Sequence, residues 1–422
     1  MNKIAISTLA FILIGLFSPT VLSSKIIKYK SIRRAYLPDT IPLIELGLNL
    51  WKTFPGGLYP NGLNKRPFQH EKDGQELSKN LIALDSFGQA DPINGKIVLL
   101  SIGMSNATQE FSAFKMLADT FRNKNPKVLV VDGAQGGQTA SVIKNPNANF
   151  WTVVTQRLYQ QKVNGSQVQA VWLKEANANP TAAFPKHAED LKNDIKQIVQ
   201  ILKQKYPNLK LLYLSSRIYA GYANTPLNPE PYAYESGYSI KWLIEEQING
   251  DSSLLYNGSN PKSPWLSWGP YLWANGVKPR IDGLVWSPTD FGTDGTHPSN
   301  AGRLKVANLL LQFFSTDSSC ISWFLKQTTT DLTQIKPAHS LVVFPNPFIN
   351  SFTVSWDSKS SVKTQINLIN AQGKTVEKLY EGIPSEGQQS VNFSEISLHT
   401  GLYFIEFKTK DFVQRKKLMH ID

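Results

Sequence analysis

From residue 96 onward the chain alternates short runs rich in Val, Leu and Ile with amphipathic stretches of helical period, and few folds accommodate that order. The runs are KIVLLSIG (96–103), KVLVVDGA (127–134), QVQAVWLKE (167–175), LKLLYLSS (209–216) and IDGLVWS (281–287). Their near-continuous apolar character is that of strands buried on both faces. Between them, HAEDLKNDIKQIVQILKQKY sets Leu191, Ile195, Ile198, Val199 and Leu202 along one helix face. Five such strands joined by crossover helices predict an α/β domain, with a parallel five-stranded sheet covered on both sides. Ligands of such sheets bind beyond the carboxyl ends of the strands, so the chemistry is sought in the loops that follow them.

Those loops carry suitable groups. The first strand leads into SIGMSNAT, the second into DGAQGGQT, the third into WLKEANANP and the fifth into TDFGTDGTHPS, which brings Ser105, Gly137, Asn177, Asp294 and His297 toward one rim. Taken singly, each also has a structural explanation: Ser105, Asn106, Asp294 or Thr296 as helix caps, Gly137 as a turn residue. Jointly they match the needs of a hydroxyl nucleophile: a base within reach, a carboxylate to orient it, and donors for a developing oxyanion. Asp294 and His297 are three residues apart, so one tight turn can supply orienter and base together. Asp290 competes for the orienting role from the same loop, but seven residues from His297 it requires a wider excursion.

In four separated blocks, spanning roughly residues 96 to 315, the chain resembles the SGNH or GDSL-type esterase superfamily. IGMSNA is similar to the nucleophile block in its Gly-x-Ser-Asn form, found in sialate O-acetylesterase-like relatives. GGQT is similar to the second block, with Gly136 a close substitute beside Gly137; EANA lies where the family has Gly-x-Asn-Asp, and DGTH matches the terminal Asp-x-x-His. The resemblance implies a flavodoxin-like three-layer α/β/α fold and a secreted serine esterase acting on carboxylic esters, O-acetylated carbohydrate foremost. It also implies Ser105 as nucleophile, His297 as general base, Asp294 as orienter, and Gly137 with Asn177 in the oxyanion hole. Glu175 stands where the family has glycine and Ala178 where it has aspartate, and the first block lacks the acidic residue of Gly-Asp-Ser. These departures keep open a second expectation, a catalytically silent glycan-binding or cell-surface protein on the same fold.

An insertion at roughly 217–280 carries Trp265, Trp268, Tyr271 and Trp273. Such rings either shape a substrate pocket, stacking on sugars or an acyl group, or form a satellite core beneath a long loop. Other chemistries are excluded by pattern. DGAQGGQ misses the Gly-x-Gly-x-x-Gly spacing, and no Walker A motif occurs. His70, His187 and His297 are scattered, with no His-Glu-x-x-His pair, so neither a cofactor nor a catalytic metal is expected. Adjacent Glu245 and Glu246 on a predicted helix cannot flank one glycosidic bond.

The N-terminus, MNKIAISTLAFILIGLFSPTVLSS, has the basic, apolar and small-residue regions of a secretory signal over residues 1–23, and no later run is long and apolar enough for a transmembrane span. The single Cys320 excludes an internal disulfide. The net charge of +12 favours anionic partners, yet the densest cluster, Arg415, Lys416 and Lys417, reads as a solvated strand end, so nucleic acid is not expected. The hydrolase-like domain is expected over 24–326, followed by a polar linker over 327–340. Residues 341–422 change to short alternating strands, SFTVSW, KTQINLIN, QQSVNFS, GLYFIEFKT and FVQRKKLMHI, with NAQGK as a hairpin-like turn, predicting a small antiparallel β-sandwich. In order, VVFPNPF, INLINAQGK, LHTGLYFIEF and the basic last strand resemble the C-terminal sorting domain of type IX secretion cargo, which implies the type IX machinery as partner and an extracellular or outer-surface location. Deleting 341–422 is expected to trap the protein in the periplasm, as read by fractionation and immunoblotting; unimpaired export of the truncated chain would refute the sorting role.

Overall fold

The computed structural model describes residues 40–327 and 341–421, apart from 359–361, 371–372, 395–397 and 411–412. The expected signal segment, 1–23, and all but the first residue of the expected linker lie outside the described residues. The chain divides into two compact units, Met1–Gln327 and Thr328–Asp422.

The first unit is built on five strands: β1 (Ile97–Gly103), β2 (Val128–Asp132), β3 (Val168–Lys174), β4 (Leu211–Leu214) and β5 (Trp265–Trp268). All pairs are parallel, in the order β2-β1-β3-β4-β5, which is the flavodoxin-like order. Every residue of β1, β3, β4 and β5 is buried, as a sheet covered on both faces demands. Among the described residues the long helices are α1 (Phe68–Lys79), α2 (Ser105–Thr120), α3 (Asn149–Gln160), α4 (Lys186–Lys205), α5 (Tyr232–Ile248) and α6 (Asn300–Thr316). α2 packs on α6 and α4 on α5. The α4 face anticipated from its periodicity, Leu191, Ile195, Ile198, Val199 and Leu202, is fully buried. Among the described residues no helix is long and apolar enough to cross a membrane.

The fifth strand differs from expectation. IDGLVWS is not a strand; its place is taken by WLSW, inside the segment read as an insertion. The reason is tertiary. Trp265, whose indole donates to His70 O at 3.0 Å, and Trp268, whose indole donates to Leu58 O at 2.7 Å, are held from outside by chain that precedes the sheet. Ile281 is 83% exposed and contributes nothing to the core.

The same bonds account for residues 40–95, whose role was not legible in sequence. They wrap the β5 side of the sheet and shield an edge strand that would otherwise offer unpaired backbone groups to other chains. α1 approaches so closely that a Cβ on Gly74 would lie 2.3 Å from the Trp265 ring. Arg66 fixes the wrap to the end of α6 through Asp317, at 2.7 Å. Trp265, Trp268, Tyr271 and Trp273 thus belong to the main core, none more than 5% exposed, and do not offer ring faces to sugars.

The second unit has two antiparallel sheets. Its strands are β6 (Val342–Phe344), β7 (Ser351–Ser358), β8 (Thr364–Asn370), β9 (Thr375–Gly382), β10 (Gly387–Ser394), β11 (Gly401–Lys408) and β12 (Val413–His420). One sheet runs β9-β8-β11-β12 and the other β10-β7-β6, the sandwich-like arrangement expected. Phe352, Val354, Ile366, Leu368, Ile405, Phe407 and Leu418 form a core shared by both sheets. Arg415, Lys416 and Lys417 are exposed on β12, with Arg415 paired to Glu406 at 2.8 Å.

Because Trp268 is buried in the core, Trp268→Ala is expected to destabilise the first unit by about 3–5 kcal/mol in denaturant unfolding, with no separate effect on glycan binding.

Candidate functional site

The site forms where β1 hands over to α2. Gly103 ends the strand so close to its neighbours that a Cβ there would lie 2.4 Å from Lys174 O and 2.5 Å from the Ala107 Cβ, so the tight strand-to-helix turn needs glycine. Ser105 is the first residue of α2, and the first helical hydrogen bond runs from Thr108 N to Met104 O at 3.0 Å. The amides of Ser105, Asn106 and Ala107 therefore have no acceptor within the helix, and the positive end of its dipole lies at the serine.

The loop before α6 comes to meet it. Gly292 N donates to His297 O at 2.8 Å, and Gly295 closes the turn with φ +63°, where a Cβ would lie 1.9 Å from Tyr222 O. Within this turn Asp294 folds back on its own loop: Oδ1 accepts the amides of Thr296 and His297, each at 3.0 Å, and Oδ2 meets His297 Nδ1 at 2.5 Å. His297 Nε2 lies 2.7 Å from Ser105 Oγ. The buried Asn106 joins the two segments by donating to Thr296 O at 3.0 Å. The side chains of His297 and Asp294 are each 30% exposed, so the constellation opens to solvent. Burial would raise the Asp294 carboxyl, but the His297 ring and the two amides outweigh it and hold it below its ordinary value. Asp290 is occupied elsewhere, accepting from Ser287 N at 2.7 Å and from Lys305 Nζ at 2.5 Å.

Gly137 lies in the turn after β2, with φ +74° and nothing within 4 Å of where a Cβ would stand; its need for glycine is conformational. Its amide finds no partner among the described residues, and the turn is tied to the β1 end by Gln135 N donating to Gly103 O at 2.9 Å. Asn177 is less simply placed. Its Oδ1 accepts Ser141 N at 2.8 Å and its Nδ2 donates to Asp194 Oδ2 at 2.9 Å, which leaves one amide hydrogen uncommitted. Of this block it is Ala178 that lines the cavity beside Ser105.

That cavity, about 360 Å³, is also lined by Gly137, Arg217, Leu227, Asn228 and His297. Sequence reasoning missed Arg217, although it follows β4 directly and the rim rule applied to the first three strands reaches it. Asn228, in the segment before α5, has no sequence signal. Under the site lie buried acids and bases. Lys174 Nζ bridges both oxygens of Glu110, and burial drives the Glu110 carboxyl up and the Lys174 ammonium down to about 8, each partly offset by the other. Glu175 is pushed well above the carboxylate range by burial, and its Oε1 has no partner among the described residues.

Residues 342–421 match the family model described as the secretion system C-terminal sorting domain. The protein is thus a substrate of the type IX secretion machinery and works outside the cell or on its surface. A comparison with curated proteins gave no match. Among solved structures, the periplasmic domain of a Salmonella ser. Paratyphi A lipopolysaccharide acetyltransferase is similar at 12% identity and TM-score 0.28, over 58% of this chain and 95% of that one. LAE5, an alpha/beta hydrolase enzyme from the metagenome of Lake Arreo, Spain, is similar at 12% identity and TM-score 0.28, over 53% and 95%. Likenesses this distant do not bear on the activity of this chain.

The bond between Asp294 and His297 carries a checkable consequence. A carboxylate at Oδ2 requires the proton on Nδ1, leaving Nε2 to accept from Ser105. The ¹⁵N spectrum of neutral His297 is expected to show the Nδ1–H tautomer, and Asp294→Asn is expected to shift it toward Nε2–H; an unchanged tautomer would refute this orienting contact.

Proposed function

We propose that the first unit is a serine esterase of the SGNH type, cleaving carboxylic esters outside the cell, with O-acetylated carbohydrate as its substrate class. The observation that carries this reading is the continuous run from Ser105 Oγ through His297 to Asp294 at the mouth of a cavity on the carboxyl rim of the sheet. His297 Nε2 takes the Ser105 proton as Oγ attacks the ester carbonyl, then returns it to the departing alcohol. Water repeats the sequence on the acyl-serine, releasing the acid and restoring the hydroxyl. Asp294, held ionised below its ordinary value, keeps the imidazole in the required tautomer and stabilises its charged form. The oxyanion is received by the free amides of Ser105 and Gly137, with the uncommitted Asn177 hydrogen as a third donor; such a donor is typically worth about 100–1000-fold in turnover.

A second reading has its own motive. Glu175 and Ala178 replace the glycine and aspartate of the third block, which supports a silent glycan-binding or surface protein on the same fold. Labelling by a fluorophosphonate probe separates the two. The esterase reading expects Ser105-dependent labelling and acetate release from acetylated xylan, pectin, sialosides or p-nitrophenyl acetate, all lost in Ser105→Ala; labelling that survives the substitution, or its absence in wild type, would overturn it. Asp294→Asn is expected to lower turnover by about 10⁴-fold through the wrong tautomer. Asp290→Asn should act on stability instead, since its partners are Ser287 and Lys305.

A further inference from the structure

Two polar side chains line the cavity beside Ser105 with hydrogen-bonding capacity that no group among the described residues uses. Arg217 is 3% exposed; among the described residues its Nε–H has no hydrogen-bond partner and no carboxylate lies within ion-pair distance of its guanidinium. The neighbouring acids are engaged elsewhere. Glu110 gives both oxygens to Lys174, and Glu230 accepts Ala220 N, Tyr234 N and the Trp273 indole. Asp294 is held by His297, and burial favours the neutral acid at Glu175. Asn228, 1% exposed, donates from Nδ2 to Asn177 O at 3.1 Å, but its Oδ1 has no partner among the described residues.

Glu110, Glu175, Glu230 and Asp294 act on the Arg217 guanidinium only through space, and a buried N–H without an acceptor is costly, because it gives up hydration and gains no hydrogen bond in return. The cost is recovered if a ligand supplies the acceptor. The planar fork of arginine suits a carboxylate, with two parallel N–H donors meeting two oxygens. Asn228 Oδ1 calls instead for a donor, such as a hydroxyl. Leu227, Met104 and Ala178 supply an apolar part of the wall, suited to a short acyl group.

We propose that this cavity binds a polyhydroxylated carboxylate, its acid group on the Arg217 guanidinium and one of its hydroxyls on Asn228 Oδ1, so that the ester presented to Ser105 is an acyl ester of a sugar acid. This rests on the cavity being the substrate site of the proposed esterase. The net charge of +12 acts in the same direction, drawing anionic substrates to the surface.

The test is equilibrium binding, which does not depend on turnover. Glucuronate, galacturonate, their uncharged amides and glucose are titrated calorimetrically into the full mature chain at neutral pH, as wild type and as Ser105→Ala. At least one uronate is expected to bind ten times or more tighter than its amide, with the ratio collapsing toward one in Arg217→Gln and partly retained in Arg217→Lys. Uronates that bind no better than their amides to wild type, including the absence of binding by either, would overturn the inference without any variant. So would an acid preference that persists undiminished in an Arg217→Gln protein shown to be folded by circular dichroism. Fluorophosphonate labelling without an acid preference would leave the esterase and remove the anion site; an acid preference without labelling would leave the anion site on a silent chain.

Discussion

The first unit depends on the burial of a parallel sheet on both faces. Parallel strands cannot be joined by hairpins, so each return requires a crossover, and the crossovers become the covering layers. One consequence is that all five carboxyl ends lie on the same side. With the order β2-β1-β3-β4-β5, the chain passes from β1 to β2 on one side and then crosses back to β3 on the other, and a crevice opens beyond the end of β1. Ser105, Gly137 and Ala178 follow β1, β2 and β3, the strands that border this crevice. The cavity beside Ser105 lies at this crevice.

The turn that carries Asp294 and His297 needs no sheet of its own. Asp294 bonds backbone with one oxygen and imidazole with the other, so the loop's conformation and the histidine's orientation come from a single carboxylate. This explains the three-residue spacing, which lets the side chain fold back over the turn. α6 begins just after it, capped by Ser299 Oγ accepting Gly302 N at 3.4 Å, and its packing on α2 sets the loop against Ser105. Ser105 begins α2 and His297 stands in the turn just before α6, the helix that touches it, and the bond between Asn106 and Thr296 O locks the approach.

The buried charges beneath the rim follow a different logic. Lys174 and Glu110 satisfy each other, and Glu230 is satisfied by two amides and an indole, whereas Arg217, Glu175 and Asn228 retain unsatisfied atoms. Groups of the first kind are structural and saturated. Those of the second sit in or near the cavity, where a ligand can complete them.

Much of this was legible in the chain. Four of the five strands, the α4 face, the rim loops and the Asp294–His297 pairing follow from local periodicity and spacing, because apolar runs and tight turns are decided by residues close in sequence. The second unit was readable for the same reason, except β6, which is only three residues long, and β9, whose residues are mostly exposed and so lack the alternation that marks a half-buried strand. The exchange of IDGLVWS for WLSW at the sheet edge was not readable, nor was the destination of the tryptophans, since both depend on residues 40–95 arriving from far away in sequence to cover β5. Asn177's bonds to Ser141 and Asp194, and the meeting of Arg217 with Asn228 in one cavity, were likewise decided only by the tertiary structure. Hydrogen bonds between distant segments are selected by packing, and packing leaves no period in the sequence.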